Sequence, residues 1–284
     1  SFPTRRSSDL GPRIGIIRLV QVRLAQAQHM IAKNQEEIDL LRESCRRAAR
    51  HMRELVAMVK PGLSVIALEE RALEMIKADG DKPAFLGHRE RGDKHGYPSA
   101  LCVSINDAIV HSPAAISEYV IQDGDLVCLD YGVSHKGFIS DHAVTVIAGK
   151  AKSPHDEELV RGTKEALAIG IKEAKVGNTT GHIGHAVQKV AEKYGFGYPR
   201  NLSGHGVGRS VHEEPYVPNF GEPGRGAKLV ENLVIAIEPM MTLGTSDLYV
   251  DADGYTYRTQ DGSNTAHFEH TVIITKNGPE ILTI

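Results

Sequence analysis

Two stretches decide the fold: KPGLSVIALEERALEMIKADG, Lys60–Gly80, and KVGNTTGHIGHAVQKVAEKYG, Lys175–Gly195. Lys60, Gly62 and Gly80 recur as Lys175, Gly177 and Gly195, at a constant offset of 115 residues. Leu68, Ala72 and Ile76 fall on Ile183, Val187 and Ala191. Each stretch reads as a Lys-x-Gly break, an amphipathic helix and a glycine stop. Two unrelated helices with glycine caps could share their endings by coincidence. The shared internal spacing favours a duplicated unit.

Each copy follows another helix. Asn34 caps the first, with Glu36 and Glu37 in its first turn, where they complement the helix dipole. Ile38, Leu41, Cys45, Ala48, Met52, Leu55 and Val59 then recur at helical spacing. Lys60-Pro61-Gly62 stops that helix, and Ser64 opens the next, which runs to Gly80. Ser153-Pro154 opens a third, with proline at the first helical position, running to about Ala174. Thr179 or Thr180 opens a fourth, ending near Gly195. Strand-like runs follow each pair: Ala100–Ile105, Leu126–Tyr131 and Ile139–Ile147, then Leu233–Glu238, Tyr255–Thr259 and Phe268–Thr275. The expected class is α+β. Two pseudo-symmetric halves, about residues 30–150 and 151–284, each join a helix pair to an antiparallel sheet within a single domain. A site would sit where the halves meet, a usual place for pockets.

Composition bounds the function. The 284 residues are 41% hydrophobic and 24% charged, with a formal net charge of −3. That balance is globular and carries no global footprint for nucleic acid or a membrane surface. Cys45, Cys102 and Cys128 form no CxxC pair, which fits a reducing cytoplasm better than a disulfide framework. No apolar run approaches the roughly 18 residues of a spanning helix.

The first ten residues, SFPTRRSSDL, resemble the translation of a sequencing-adapter oligonucleotide. A basic leader is the alternative reading of Arg5, Arg6, Ser7 and Ser8. On the adapter reading residues 1–29 are a non-native leader, Met30 is the natural start, and residues 30–284 form the catalytic domain.

Three carboxylates sit in apolar, strand-like runs: Asp130 in Cys128-Leu129-Asp130, Glu238 in IAIEP, and Glu269 in HFEHTVII. A charge there is unfavourable unless something pairs with it. One alternative is a structural ion pair with a buried arginine, for which Arg258 is the available candidate. The other is a divalent metal, which accounts for several carboxylates at once. Asp130 and Asp141 flank a turn-rich stretch. A hairpin centred on His135-Lys136 would set them directly opposite, on one face of the sheet. Two carboxylates so placed repel unless protonated or bridged by a cation. Gly204-His205-Gly206-Val207-Gly208 precedes Val211-His212-Glu213-Glu214-Pro215. The glycines admit close backbone approach, and two histidines seven apart on extended chain can point into one cavity. Alternation puts Glu269, Thr271 and Ile273 on one face. His111 follows Asp107–Val110 and precedes Ser112-Pro113. His135, His142, His155 and His182 read as surface or packing residues.

Read together, these motifs resemble the methionine aminopeptidase family, type I or bacterial-style. The resemblance runs from about Glu36 to the C-terminus. It is carried by Leu129-Asp130-Tyr131-Gly132 with Asp141, by the His205 and His212 strings, by Ile237-Glu238-Pro239-Met240 and by Phe268-Glu269-His270-Thr271. The short interval from His205 to Glu238 leaves no room for the long insertion of type II.

The resemblance implies the pita-bread fold around a central dinuclear site and removal of N-terminal methionine, with a small second residue preferred. It implies that Asp130 chelates one metal, His205 and Glu238 hold the other, and Asp141 and Glu269 bridge. Glu238 would relay a proton to the leaving group, His212 would stabilise the tetrahedral state, and His111 would contact the departing residue's backbone nitrogen. The methionine pocket maps onto Tyr97, Cys102, Val211 and Tyr255. The two ions could be Co, Mn, Fe, Zn or Ni. The implied partner is a peptide or nascent-chain N-terminus, with transient ribosome association, in a cytoplasmic monomer.

The chain departs from the type I pattern in three places. His111-Ser112-Pro113 stands where His-Gly-x-Pro is usual. Tyr131-Gly132 is unusual after the first ligand. Val211 and Tyr255 are smaller than the family's common aromatics, which bears on pocket shape. Aminopeptidase P and prolidase share the five ligands but carry Glu-Pro-Gly where this chain has Glu238-Pro239-Met240. They also carry an arginine motif near Glu269. A non-catalytic binding protein of the same fold would have lost ligands.

Overall fold

The computed structural model describes residues 30–89 and 95–284. The leader expected over 1–29 lies outside the described residues. Among the described residues four α-helices form, as read: α1 (Gln35–Met58), α2 (Val65–Ala78), α3 (Pro154–Lys172) and α4 (Thr180–Tyr194). Asn34 caps α1 by accepting the Glu37 N–H, and Ser153 caps α3 by accepting the His155 N–H. Thr179 and His182 form a reciprocal capping box on α4.

The duplication is visible in the backbone. Shifted by 115, the start of α2 coincides with that of α4, and the ends of α1 and α2 fall within a residue of those of α3 and α4. Gly62 and Gly177 both sit at left-handed φ, +87° and +92°, in the break between each pair. Only glycine adopts that conformation without strain. In each half the helix pair buries its apolar stripe against an antiparallel sheet. Met52, Leu55, Leu68 and Ile76 pack on Val103, Val127 and Leu129 in the first half. Leu167, Ile171 and Ile183 pack on Ile235, Ile237 and Val272 in the second.

The first sheet orders its strands Leu101–Ile105, Leu126–Tyr131, His142–Ile147. The second runs Gly278–Ile281, His270–Thr275, Val234–Ile237, Ser203–Gly206, Glu213–Pro218. The two halves are stitched by alternate residues of two crossing segments. The Asp141 N–H donates to Thr271 Oγ1 at 3.0 Å, the Glu269 N–H to the Ala143 carbonyl at 2.9 Å, and the His267 N–H to Thr145 Oγ1 at 2.9 Å.

One expected strand is interrupted and three are shortened. Ile139–Ile147 breaks at Ser140-Asp141, where a short Phe138–Ile139 strand gives way to His142–Ile147. Leu233–Glu238 ends at Ile237, and the chain joins a second sheet as Met240–Thr242. Phe268–Thr275 begins only at His270, and Thr265–His267 pairs with Met240–Thr242 instead. Tyr255–Thr259 shortens to Tyr257–Thr259. Asp141, Glu238 and Glu269 all fall just outside these strands and converge on one cavity.

The expected opposition of Asp130 and Asp141 is also corrected. The hairpin turns on Lys136-Gly137, both at positive φ, so the register moves by one residue on each side. Asp130 pairs with Ala143. Asp141 is therefore its diagonal neighbour rather than its direct opposite, and stays on the same face.

Among the described residues no helix is long and apolar enough to cross a membrane. The three cysteines are buried and free.

Candidate active site

Asp130, Asp141, His205, Glu238 and Glu269 come together on the wall of one cavity of about 570 Å³ between the halves. All five are buried. Asp141, His205 and Glu269 bring ligand atoms within 4.8 Å of one another. His205 Nε2 stands 3.1 Å from Glu238 Oε1 and 3.9 Å from Asp141 Oδ2. The backbone of His205 lies in the narrow Ser203–Gly206 strand. A Cβ on Gly206 would stand 2.3 Å from the Glu214 carbonyl, so that neighbour has to be glycine.

The arginine alternative fails on geometry. Arg258 donates to Asp107 at 2.8 Å and to Asp251 at 2.5 Å. Among the described residues, the ion-pair contacts of Asp141, Glu238 and Glu269 are all with histidine. One oxygen on each of Asp130, Asp141, Glu238 and Glu269 is buried with no hydrogen bond among the described residues, that of Glu238 having only its 3.1 Å ion-pair contact with His205. Four orphaned carboxylate oxygens in one cavity would be strongly destabilising in isolation. Divalent cations satisfy them, because carboxylate oxygens and an imidazole nitrogen are ordinary donors for such ions. The residues present therefore fit a metal.

Electrostatics points the same way. Burial, then the Glu238 carboxylate, raises Asp130 above the usual carboxylate range. Burial, then Asp130 and Glu238, raises Asp141 further. Burial, then Asp141, raises Glu269. Burial also raises Glu238, with His212 opposing it. Without a cation this burial favours the protonated forms. A bound cation inverts that logic by favouring the ionised forms.

The sequence-predicted substrate residues line the same cavity: Tyr97, Cys102, His111, Val211, His212 and Tyr255. The His212 ring meets His205 edge-on at 4.4 Å between centroids. The His111 ring stands edge-on to Tyr257 at 5.6 Å. The backbone of His111 sits at φ +61°, an unusual conformation for a side chain of that size. The Tyr97 hydroxyl donates to Cys102 Sγ at 3.0 Å, and Tyr97 stands edge-on to Tyr255. Tyr131, the departure beside Asp130, is fully buried, with its hydroxyl 2.8 Å from His51 Nδ1.

The histidines read as packing residues behave so. His155 is exposed, His135 is held by Asp81 at 2.8 Å, and His182 caps α4. His142 stacks on His270 and donates from Nδ1 to the Glu269 carbonyl at 2.6 Å. That bond fixes the backbone of one candidate ligand from behind.

Several lining residues carried no motif in the sequence: Phe85, His88, Tyr216, Tyr257 and His267. His267 is the most consequential, being 1% exposed and 3.6 Å from Glu238 Oε2. Its signal was available, because strand alternation puts it on the face of Glu269.

Residues 39–276 match the model of metallopeptidase family M24. The methionine aminopeptidase of Aquifex aeolicus is 45% identical over 254 residues, covering 88% of this chain and 97% of that protein. The crystal structure of methionine aminopeptidase from Thermotoga maritima superposes with a TM-score of 0.84 at 41% identity, covering 89% of this chain and 99% of that one. Prolidase from Pyrococcus furiosus superposes at 0.71 with 24% identity, covering 90% of this chain and 66% of that one, a likeness of fold.

Proposed function

This chain belongs to metallopeptidase family M24, among the methionine aminopeptidases, and we propose how its own residues carry out hydrolytic removal of N-terminal methionine. The observation that carries the reading is the convergence of five donor side chains, with four carboxylate oxygens lacking a hydrogen bond, in one buried cavity. The fold it stands on is the pita-bread arrangement of two αα/sheet halves.

Asp130, Asp141, His205, Glu238 and Glu269 would hold two divalent ions. When bound, such ions acidify a water and polarise a carbonyl oxygen. Glu238 takes the proton of the attacking water and passes it to the leaving amine. The cavity wall supports that role, because Glu238 is buried and its carboxylate is held 3.1 Å from His205. His212 donates toward the oxygen of the tetrahedral state, where charge develops. His111, which lines the same cavity, contacts the backbone nitrogen of the departing residue.

The methionine side chain enters between Tyr97, Cys102, Val211 and Tyr255. That lining is apolar with few polar atoms, which suits a thioether. The free α-amine binds on the Asp130 side, and this restricts cleavage to N-termini. A small second residue is preferred, and discrimination at each methylene amounts to about 1–3 kcal/mol. The substrate is a nascent or finished polypeptide in the cytoplasm, met by a monomer that contacts the ribosome transiently.

A peptide pair tests the activity. Protein reconstituted with Mn(II) or Co(II) should release methionine from Met-Ala-Ser and leave an X-Pro peptide nearly untouched. Preference for the X-Pro peptide would transfer the chain to the prolidase reaction. Inactivity with every metal would favour a non-catalytic binding role.

A further inference from the structure

The cavity grades from a buried floor to an open mouth. Asp130, Asp141 and Glu269 are buried in its wall. The rings of His205, His212 and His88 follow one another edge-on, at 4.4 and 5.3 Å between centroids, and pass from buried to half-buried. Among the described residues that line the cavity, Asn201, Tyr216 and Gly254 are exposed. They mark the mouth, where a polypeptide substrate has to leave the protein.

Tyr216 stands apart from the other two because its side chain is large and aromatic, and the residue is 63% exposed. Of the exposed large apolar side chains among the described residues, only the C-terminal Ile284 is more open, and only Tyr216 lines the cavity. A lone exposed tyrosine on an open surface is ordinary. At the mouth of a substrate cavity the same ring is a contact surface, since it offers rigid area at little cost in conformational entropy.

The backbone holds that ring in place. Tyr216 lies in the Glu213–Pro218 strand, four residues beyond His212, at the edge of the second sheet beside Ser203–Gly206. Pro215 and Val217 are buried on one side of the strand, while Glu214 and Tyr216 are exposed on the other. Val217 pairs with Gly204, one residue before His205, and packs in the core of the second half. The ring is thus presented by a packed strand and needs no ordering when substrate arrives.

The substrate's own chemistry says which residue meets it. Methionine fills the inner pocket, and the second residue is small. The third is therefore the first position after the scissile bond at which a large side chain reaches the mouth.

We propose that Tyr216 is a specificity-determining residue, its ring forming a subsite for a large apolar or aromatic side chain at the third position of the substrate. The proposal rests on the aminopeptidase reading above and extends it beyond the first two residues. A contact this far from the reacting atoms holds substrate and transition state alike, so it acts on KM rather than kcat.

Steady-state hydrolysis of Met-Ala amide, Met-Ala-Gly amide and Met-Ala-Phe amide by the Mn(II)-reconstituted chain tests it. Wild-type kcat/KM should be about fivefold higher for the Phe peptide than for the Gly peptide, through KM. Tyr216→Ser should bring that ratio below about twofold, and should lower the Phe peptide relative to Met-Ala amide, which has no third side chain. Tyr216→Phe should keep the ratio. Melting temperatures establish that both variants fold. A wild-type ratio near one, a ratio that survives in Tyr216→Ser, or a difference carried by kcat would overturn the subsite and leave the aminopeptidase reading standing. Failure of the wild-type chain to release methionine from all three would overturn both.

Discussion

Glu238 and Glu269 lie directly opposite one another across a break in the long hairpin that forms the floor of the site. Ile237 pairs with His270 on one side and Met240 with His267 on the other, so the register carries through the gap. Pro239 supplies no N–H there. The two carboxylates are thus set face to face by strand geometry, at a point where the strands change sheets.

This arrangement sets stability against function. In the metal-free protein Asp141, like the facing pair, is buried with one carboxylate oxygen unsatisfied, so neutralising it should not weaken the fold. Asp141→Asn is expected to leave the metal-free melting temperature unchanged or raised, and to reduce methionine release by at least about 100-fold. Calorimetric melting alongside steady-state kinetics checks both halves. A large loss of metal-free stability would mean that Asp141 is a structural group.

The pH dependence follows from the same groups. Burial first, and neighbouring carboxylates second, raise Asp141 and Glu269 in the folded chain. A raised folded pKa contributes stability that is complete below the unfolded value of about 4 and is lost as pH rises through the folded value. Burial acts oppositely on His267, lowering it to about 3, and that effect is confined to pH below about 6.5. Between pH 7 and 9 the imidazole is neutral in both states, whereas Asp130 and Glu238, pushed up to about 8 mainly by burial, lose their protons. Metal-free protein should melt at lower temperature at pH 9 than at pH 7, whereas metal-loaded protein should lose less, since the cation replaces the protons. Equal slopes with and without chelator would contradict this.

His212 touches His205 but belongs to the substrate side of the cavity. His212→Ala should lower kcat by about 10²–10³ while metal stoichiometry is preserved. Loss of metal in that variant would reassign His212 to the ligand set.

Backbone packing positions His205. Because a Cβ at Gly206 would stand 2.3 Å from the Glu214 carbonyl, Gly206→Ala should destabilise the fold by about 1–3 kcal/mol. It should also weaken metal binding through displacement of His205. Denaturant unfolding with and without metal separates the two effects.

The helices and the duplication were legible because their signals are local: caps, apolar stripes and glycines at matched φ. The five donors were legible because each sits in a short motif. What escaped the sequence was tertiary. Leu233–Glu238 reads as a strand ended by Pro239 and Phe268–Thr275 as another, but nothing in them announces that the chain changes sheet at Glu238 and Glu269. The register of Asp130 against Asp141 turned on whether His135-Lys136 or Lys136-Gly137 forms the hairpin tip, a shift of one residue. His267 stood inside the HFEHTVII string without a role of its own. Its importance lies in Thr145, which comes from the other half of the chain.

The central claim is that these carboxylates are assembled to bind divalent cations. Titration of metal-free protein with Mn(II) or Co(II), followed by calorimetry, tests it most directly. The account predicts about two ions bound per chain, with protons released as the raised carboxylates ionise, and loss of binding in Asp141→Asn. Absence of binding, or binding that Asp141→Asn leaves untouched, would contradict it.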